Sequence, residues 1–267
     1  LTESRNDSSK YAAYSLPINH NLESWGDIYV RQNVYCLQQP VIDPLYDSRQ
    51  KEAVLLNWSN GKENSYSNDL YHKYLKSSFK ENIYSKKAIP VSFEEYWYNS
   101  LELGFVELTI NKKSNEKFNA AVFNSIKPTK SSGKFVVKLS PSYFIGDGKF
   151  ANNGWLQELP HPVTKVTWDN FAAISPLTAE KLNVEDNDLI EVKTSNQILK
   201  LPVMIQPGMA EQLIDVELGY GRNIIGDVGA EHGFNANILQ SSGSKYSRWI
   251  VTASVNANKN FGIYKLV

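Results

Sequence analysis

The repeat of apolar and polar positions changes period once along this chain. Before about residue 124, apolar residues recur at helical spacing where they recur at all; after about residue 134 they recur every second residue. Ala53, Val54, Leu55, Leu56 and Trp58 have the density of a helix lying in a core, and Leu70, Tyr71, Tyr74, Leu75, Phe79 and Ile83 trace a second helix to about Tyr84. A third has the clearest punctuation: Ser92 followed by Glu95 is a capping-box pattern, Gly104 suits the position after the last turn, and Tyr96, Trp97 and Leu101 face a core. The stretch before these helices, with Pro40 and Pro44, reads as connected loop and short strand.

Period two then takes over. Phe135, Val137 and Leu139 form a first strand; Leu199, Leu201, Val203 and Ile205 another; Ile214, Val216 and Leu218, then Trp249, Val251, Ala253 and Val255, two more. One short helix interrupts them, with Ser175 as N-cap, Pro176 at its first position, and Leu177 and Leu182 at apolar spacing. Residues 124–134, NSIKPTKSSGK, hold Pro, Ser and Gly and few apolar positions, the composition of a boundary. Several short strands with a single inserted helix predict a closed barrel, because closure removes the edges that an open sheet exposes.

Composition narrows the chemistry. With 267 residues and 42% hydrophobic content the chain is long enough for one large domain or two ordinary ones. Lys and Arg total 28, as do Asp and Glu, so no basic field for nucleic acid is indicated. A lone cysteine, Cys36, excludes an internal disulfide and any cysteine-cluster zinc or iron–sulfur site held by these residues alone. His20, His72, His161 and His232 lack metal-binding spacing and read as surface or capping residues; Glu23 and Asp27 read as loop anchors, and 112–117, KKSNEK, as a solvated loop. No run reaches the length of a membrane span, and the opening LTESRNDSSK gives no start of a domain, so the chain is expected to be a piece of something longer.

The order VTWDNFAAISPLTAEKLNVEDNDLIEVKTSNQILKLPVMIQPGMA resembles the C-terminal barrel of the molybdopterin oxidoreductase superfamily, in which an SP-x-x-A-x-x-L helix, a GD-x-V-x-V strand and a P-V-x-x-x-P-G strand and turn follow one another. Asn183 and Asn187 stand where the family has Gly, and Asn tolerates the left-handed backbone best after Gly. ANNGWLQELPHPVTKVTWDN, LGYGR, GFNANIL, NHNLESWGD and QQPVIDPLYDSRQ extend the similarity to one branch, the iron–sulfur, molybdopterin-oxidoreductase-like subunit of bacterial alternative complex III, quinol:cytochrome c oxidoreductase.

The resemblance implies a partial α/β domain over 1–128, the C-terminal portion of a larger one, followed over 129–267 by a six-stranded double-psi β-barrel of the aspartate decarboxylase-like, molybdopterin dinucleotide-binding type. It implies iron–sulfur clusters elsewhere in the full-length protein and none here. Iron–sulfur, cytochrome c and quinol-oxidising membrane subunits would be its partners, in a bacterial inner-membrane complex to which it is peripheral on the periplasmic side. The superfamily ligand is molybdopterin guanine dinucleotide, and the residues matching its binding loops are Asn152, Asn153, Trp155, Gly219, Gly221, Arg222, Asn235 and Asn237. Gly219 and Gly221 would let backbone approach a phosphate, with Arg222 the obvious counter-charge. Asn side chains bridge neighbouring loops as readily as they read a ring edge, and Trp155 reads as a plug under its loop. Three readings therefore stand: a cofactor-free barrel in an electron-transfer subunit, the cofactor-binding half of a catalytic molybdenum oxidoreductase, and a plain protein-binding module.

Overall fold

The computed structural model describes residues 1–3, 5–61, 66–86, 89–108, 117–125, 134–195, 197–223, 226–240 and 249–267. The boundary expected at 124–134 and the loop expected at 112–117 lie almost wholly outside the described residues. Two compact units are present: Leu1–Arg5 with Tyr11–Asn119, and Asn6–Lys10 with Ala120–Val267.

In the first unit, strands β1 (Gly26–Arg31) and β2 (Val34–Gln38) form a hairpin. Helices α1 (Lys51–Ser59), α2 (Leu70–Phe79) and α3 (Phe93–Leu103) follow, and β3 (Phe105–Glu107) completes an antiparallel sheet in the order β1-β2-β3. Helix α2 continues as one π turn, Lys80–Tyr84, so Tyr71, Leu75, Phe79 and Ile83 form one buried stripe at four-residue spacing. Ser92 Oγ accepts the Glu95 N–H to start α3, and Gly104, at φ +76°, ends it. Trp97 and Leu101 are buried as expected, and Trp97 meets Phe79 edge-on at 5.1 Å. Helix α1 departs from its expected burial: Ala53 is enclosed, but Leu55 and Trp58 are more than half exposed. The hairpin is the other departure, since GDIYVR and VYCLQ pair across Gln32 and Asn33 where only loop and short strand were expected.

The second unit is a closed six-stranded barrel. Its strands are β4 (Phe135–Pro141), β5 (Ala172–Ile174), β6 (Leu189–Lys193), β7 (Ile198–Ile205), β8 (Leu213–Leu218) and β9 (Ile250–Ala257), in the circular order β4-β8-β5-β7-β6-β9. β4 runs parallel to β8 and β5 parallel to β7; the other junctions, including β4 with β9, are antiparallel. The interior is packed with side chains of the period-two pattern: Val137, Leu139, Ile190, Val192, Leu201, Val203, Ile214, Val216 and Leu218 are each 2% exposed or less, so the barrel has a solid core and not a pore. Each such side chain contributes about 1.5–3 kcal/mol of burial.

Helices α4 (Gly154–Glu158) and α5 (Pro176–Leu182) lie between strands of this unit. Ser175 caps α5 by accepting the Thr178 N–H, while Leu177, expected to face inward, is half exposed. Asn183, at φ 54° and ψ 50°, and Asn187, at φ 73°, occupy the left-handed region that their replacement of Gly predicts.

Candidate functional site

Four segments of the barrel unit converge: 142–155 after β4, 168–170 before β5, 219–222 after β8, and 228–237. The convergence is made of backbone. Gly219, at φ +101°, lies where a Cβ would stand 2.9 Å from Gly148 N and 3.1 Å from Gly146 O. Gly221, at φ +69°, lies against the next segment so closely that a Cβ would stand 2.2 Å from Asn235 N and 2.5 Å from Phe234 C. Its own N–H donates to His232 O at 3.0 Å. Arg222 then ties the β8 loop to the β4 loop: Nε donates to Gly219 O at 3.1 Å and an Nη to Asp147 O at 3.0 Å, with the guanidinium filling the space over Gly148.

The asparagines do the same local work. Asn153 Oδ1 accepts the N–H groups of Trp155 and Leu156 and starts α4. Asn235 Oδ1 accepts Asn237 N–H, and Asn237 Oδ1 accepts from the Gln240 amide, which together start and close the short 3-10 turn Ala236–Leu239. Asn152 is exposed in the loop before α4. Trp155 is 83% exposed, so it is not the plug expected from its type. Gln157, two residues on, occupies that interior position at 3% exposure; its amide donates to Ala151 O, and its Oε1 is enclosed without a partner. The sequence VTW of 166–168, strand-like in type, is not a strand: Lys165 and Trp168 both have positive φ.

A polar layer absent from the sequence-based expectation lies beneath these loops. Asn170, 1% exposed, donates to Glu217 O at 2.6 Å and to Phe234 O at 2.9 Å and accepts Phe234 N–H at 2.7 Å. Asp169 accepts from Gly233 N–H and from Tyr264 Oη, both at 2.9 Å. Burial raises the Asp169 carboxyl, against the lowering effect of those two bonds, and burial together with Asp169 pushes the Tyr264 phenol up to about 12. Glu217 is also raised by burial, with Ser142 opposing; Ser142 Oγ in turn lies 3.2 Å from Tyr220 Oη. His161 Nε2 lies 3.6 Å from Glu217, while its Nδ1 accepts the Val163 and Thr164 N–H groups, so the ring proton sits on Nε2. Burial, then Lys165, lowers the His161 pKa.

Elsewhere, His20 accepts Leu22 N–H and Glu23 accepts His20 and Leu45 N–H, the capping and anchoring roles expected of them. His72 is neither surface nor cap: it is stacked on Trp25 at 4.0 Å with Nε2 enclosed. Among the described residues no three His, Cys, Asp or Glu side chains are grouped to hold a metal ion, and no helix is long and apolar enough to cross a membrane.

A closed barrel with two parallel strand pairs, interlocked loops and an SP-initiated helix between β5 and β6 defines the double-psi class. Residues 149–250 match the family described as Molydopterin dinucleotide binding domain. Among solved structures, acetylene hydratase from Pelobacter acetylenicus shares the fold at a TM-score of 0.63 and 14% sequence identity, over 95% of this chain. The chain spans 39% of the length of that protein. No curated protein sequence matches it. The family match and the shared architecture together support a fold of the molybdopterin oxidoreductase superfamily.

Proposed function

We propose that this chain is part of a molybdopterin-oxidoreductase-like iron–sulfur subunit of a quinol-oxidising electron-transfer complex of the alternative complex III type, in which the barrel is a structural module. Residues 1–128 are the closing portion of a preceding α/β domain and 129–267 the barrel; clusters and the cytochrome and quinol-oxidising partners belong to other parts of the assembly, with this subunit peripheral to a bacterial inner membrane on its periplasmic side. The sequence resemblance over nearly the whole chain supports the setting.

One observation carries the structural role. A dinucleotide pyrophosphate needs backbone N–H groups and positive charge facing it. Here the one arginine of the mapped loops is held by two backbone carbonyls, and the glycine beside it packs on Asn235 N. Asn153 and Asn235 accept backbone N–H groups, and the carboxylates Asp169 and Glu217 lie in the layer beneath. The loop residues of this chain, arranged so, do not fit the pyrophosphate of a pterin dinucleotide. A second reading, the dinucleotide-binding half of a catalytic molybdenum oxidoreductase, is favoured by the family match over 149–250 and by Gln157 Oε1, an enclosed acceptor beside the loops that awaits a donor. The setting is tested by affinity purification of the complete polypeptide from detergent-solubilised bacterial membranes. Co-purification of c-type haem and quinol-oxidising activity is expected; recovery of the polypeptide alone, without haem, would refute the setting.

A further inference from the structure

The first unit carries a second feature, a cleft open to solvent, that the barrel does not explain. A cavity of about 480 Å³, within the size range of small-molecule sites, is lined by Trp25, Asp27, Cys36, Gln38, Lys51 and Glu52 among others. Asp27 is held rigidly: Oδ2 accepts from Tyr35 Oη and Oδ1 from Tyr71 Oη, each at 2.6 Å. Burial, then the bond to Asp27, raises both phenols far above their ordinary range, which keeps them as donors. Two tyrosine protons occupy only half of the roughly four acceptor sites of a carboxylate. Among the described residues no cation pairs with it.

The rest of the lining favours a donor-rich guest. Lys51 is paired to Glu52 at 3.4 Å, and Glu3 adds a further carboxylate. The Gln38 amide is committed to Asn21 O and Ser24 O, and the Ser24 hydroxyl to His20 O. Trp25, fixed by its parallel stack on His72, supplies an aromatic wall of the kind that attracts organic cations.

We propose that this cavity binds a small organic cation, an alkylguanidinium or primary alkylammonium, with its charged head on Asp27 and its stem along Trp25. This cleft lies in the first unit, so its ligand does not depend on whether the barrel holds a cofactor. The test is calorimetric titration of the chain with agmatine, with malonate as an anionic control and acetyl-Gly-Arg-Gly-amide as a peptide carrying the same head group. Saturable agmatine binding at about millimolar affinity or tighter is expected, with no malonate response, and a loss of about tenfold in Asp27→Asn, the effect of one charge-assisted hydrogen bond. Glu52→Gln, at the partly exposed lip, should weaken agmatine a few-fold while leaving the near-ultraviolet circular dichroism of the tyrosines unchanged; it carries the test alone where Asp27→Asn does not fold. No saturable agmatine response, or affinity unchanged in every folded variant, would overturn the site. Tighter binding of the peptide than of agmatine would overturn the small-molecule ligand in favour of a partner's side chain.

Discussion

Replacing Gly221 with Ala separates two roles that a glycine after a barrel strand can have. If the residue is glycine to admit a phosphate, an added methyl group intrudes on open space and the folded barrel barely registers it. The geometry gives another answer, because that methyl would lie 2.2 Å from Asn235 N and 2.5 Å from Phe234 C, both backbone atoms that no rotamer change relieves. Gly208 is the matched control. It too has positive φ, +89°, but nothing lies within 4 Å of its added Cβ. Gly208→Ala therefore costs only the left-handed backbone term, about 1–2 kcal/mol. Gly221→Ala costs that plus an overpacking term of about 1–3 kcal/mol or more, and the gain from a stiffer unfolded chain is common to both. The assay is hydrogen exchange at the Val137 and Val216 amides, buried barrel positions that report opening of this unit alone. Their protection should fall by about one to two orders of magnitude more in Gly221→Ala than in Gly208→Ala. Equal protection in the two variants would refute the claim that the loops are closed by backbone packing.

Substitutions elsewhere in the barrel unit have distinct expected outcomes. Asn170→Ala removes three hydrogen bonds and strands Phe234 N–H in a buried site, while Phe234 O keeps the Ala236 N–H, so it should destabilise the barrel by about 3 kcal/mol in urea melts, whereas an exposed cap change such as Asn258→Ala should cost about 1 kcal/mol. Asn183→Gly should be nearly neutral because only backbone conformation is at stake, while Asn187→Gly should lose about 1 kcal/mol with the bond from Leu266 N–H; thermal melts of the two distinguish them. His161 is lowered in the folded chain, so its contribution is complete above the unfolded imidazole range near 6.5 and is lost as pH falls through the folded value, when protonated Nδ1 no longer accepts Val163 and Thr164 N–H. Glu217 is raised and runs the other way, favouring the fold at low pH and losing that contribution as pH rises; His161→Asn should accordingly flatten the stability profile just below pH 6.5, seen in urea midpoints taken across that range.

Most of the barrel was legible because half-buried strands write burial as alternation. Val137 and Leu139, or Ile214, Val216 and Leu218, could take no other face without exposing the whole set. The helix caps were legible for a local reason: Ser92, Ser175 and Gly104 act within four residues of themselves. What was not legible acts at a distance. Asn170 is polar next to a buried run, which hints at an enclosed hydrogen bond, but its partners lie 47 and 64 residues away. Arg222 has the right charge for a phosphate, and only the fold reveals that Asp147 O and Gly219 O are its acceptors. The β1–β2 hairpin was obscured by Pro40 and Pro44, which lie after β2 and do not interrupt it. Trp155 was expected inside on residue type alone, yet Gln157 is the residue that the local geometry turns inward, and of the apolar group expected in the core over 53–58 Ala53 is enclosed while Leu55 and Trp58 face out.

Whether the loops of this dinucleotide-binding-type barrel are held by its own chain or by a ligand is decided by the metal and pterin content of the complete polypeptide, measured by elemental analysis and by the fluorescence of the oxidised pterin released on denaturation. Iron in cluster stoichiometry is expected, with molybdenum, tungsten and pterin all far below one per polypeptide. Stoichiometric pterin with molybdenum or tungsten, lost together in Arg222→Ala, would contradict that expectation and establish the catalytic reading instead.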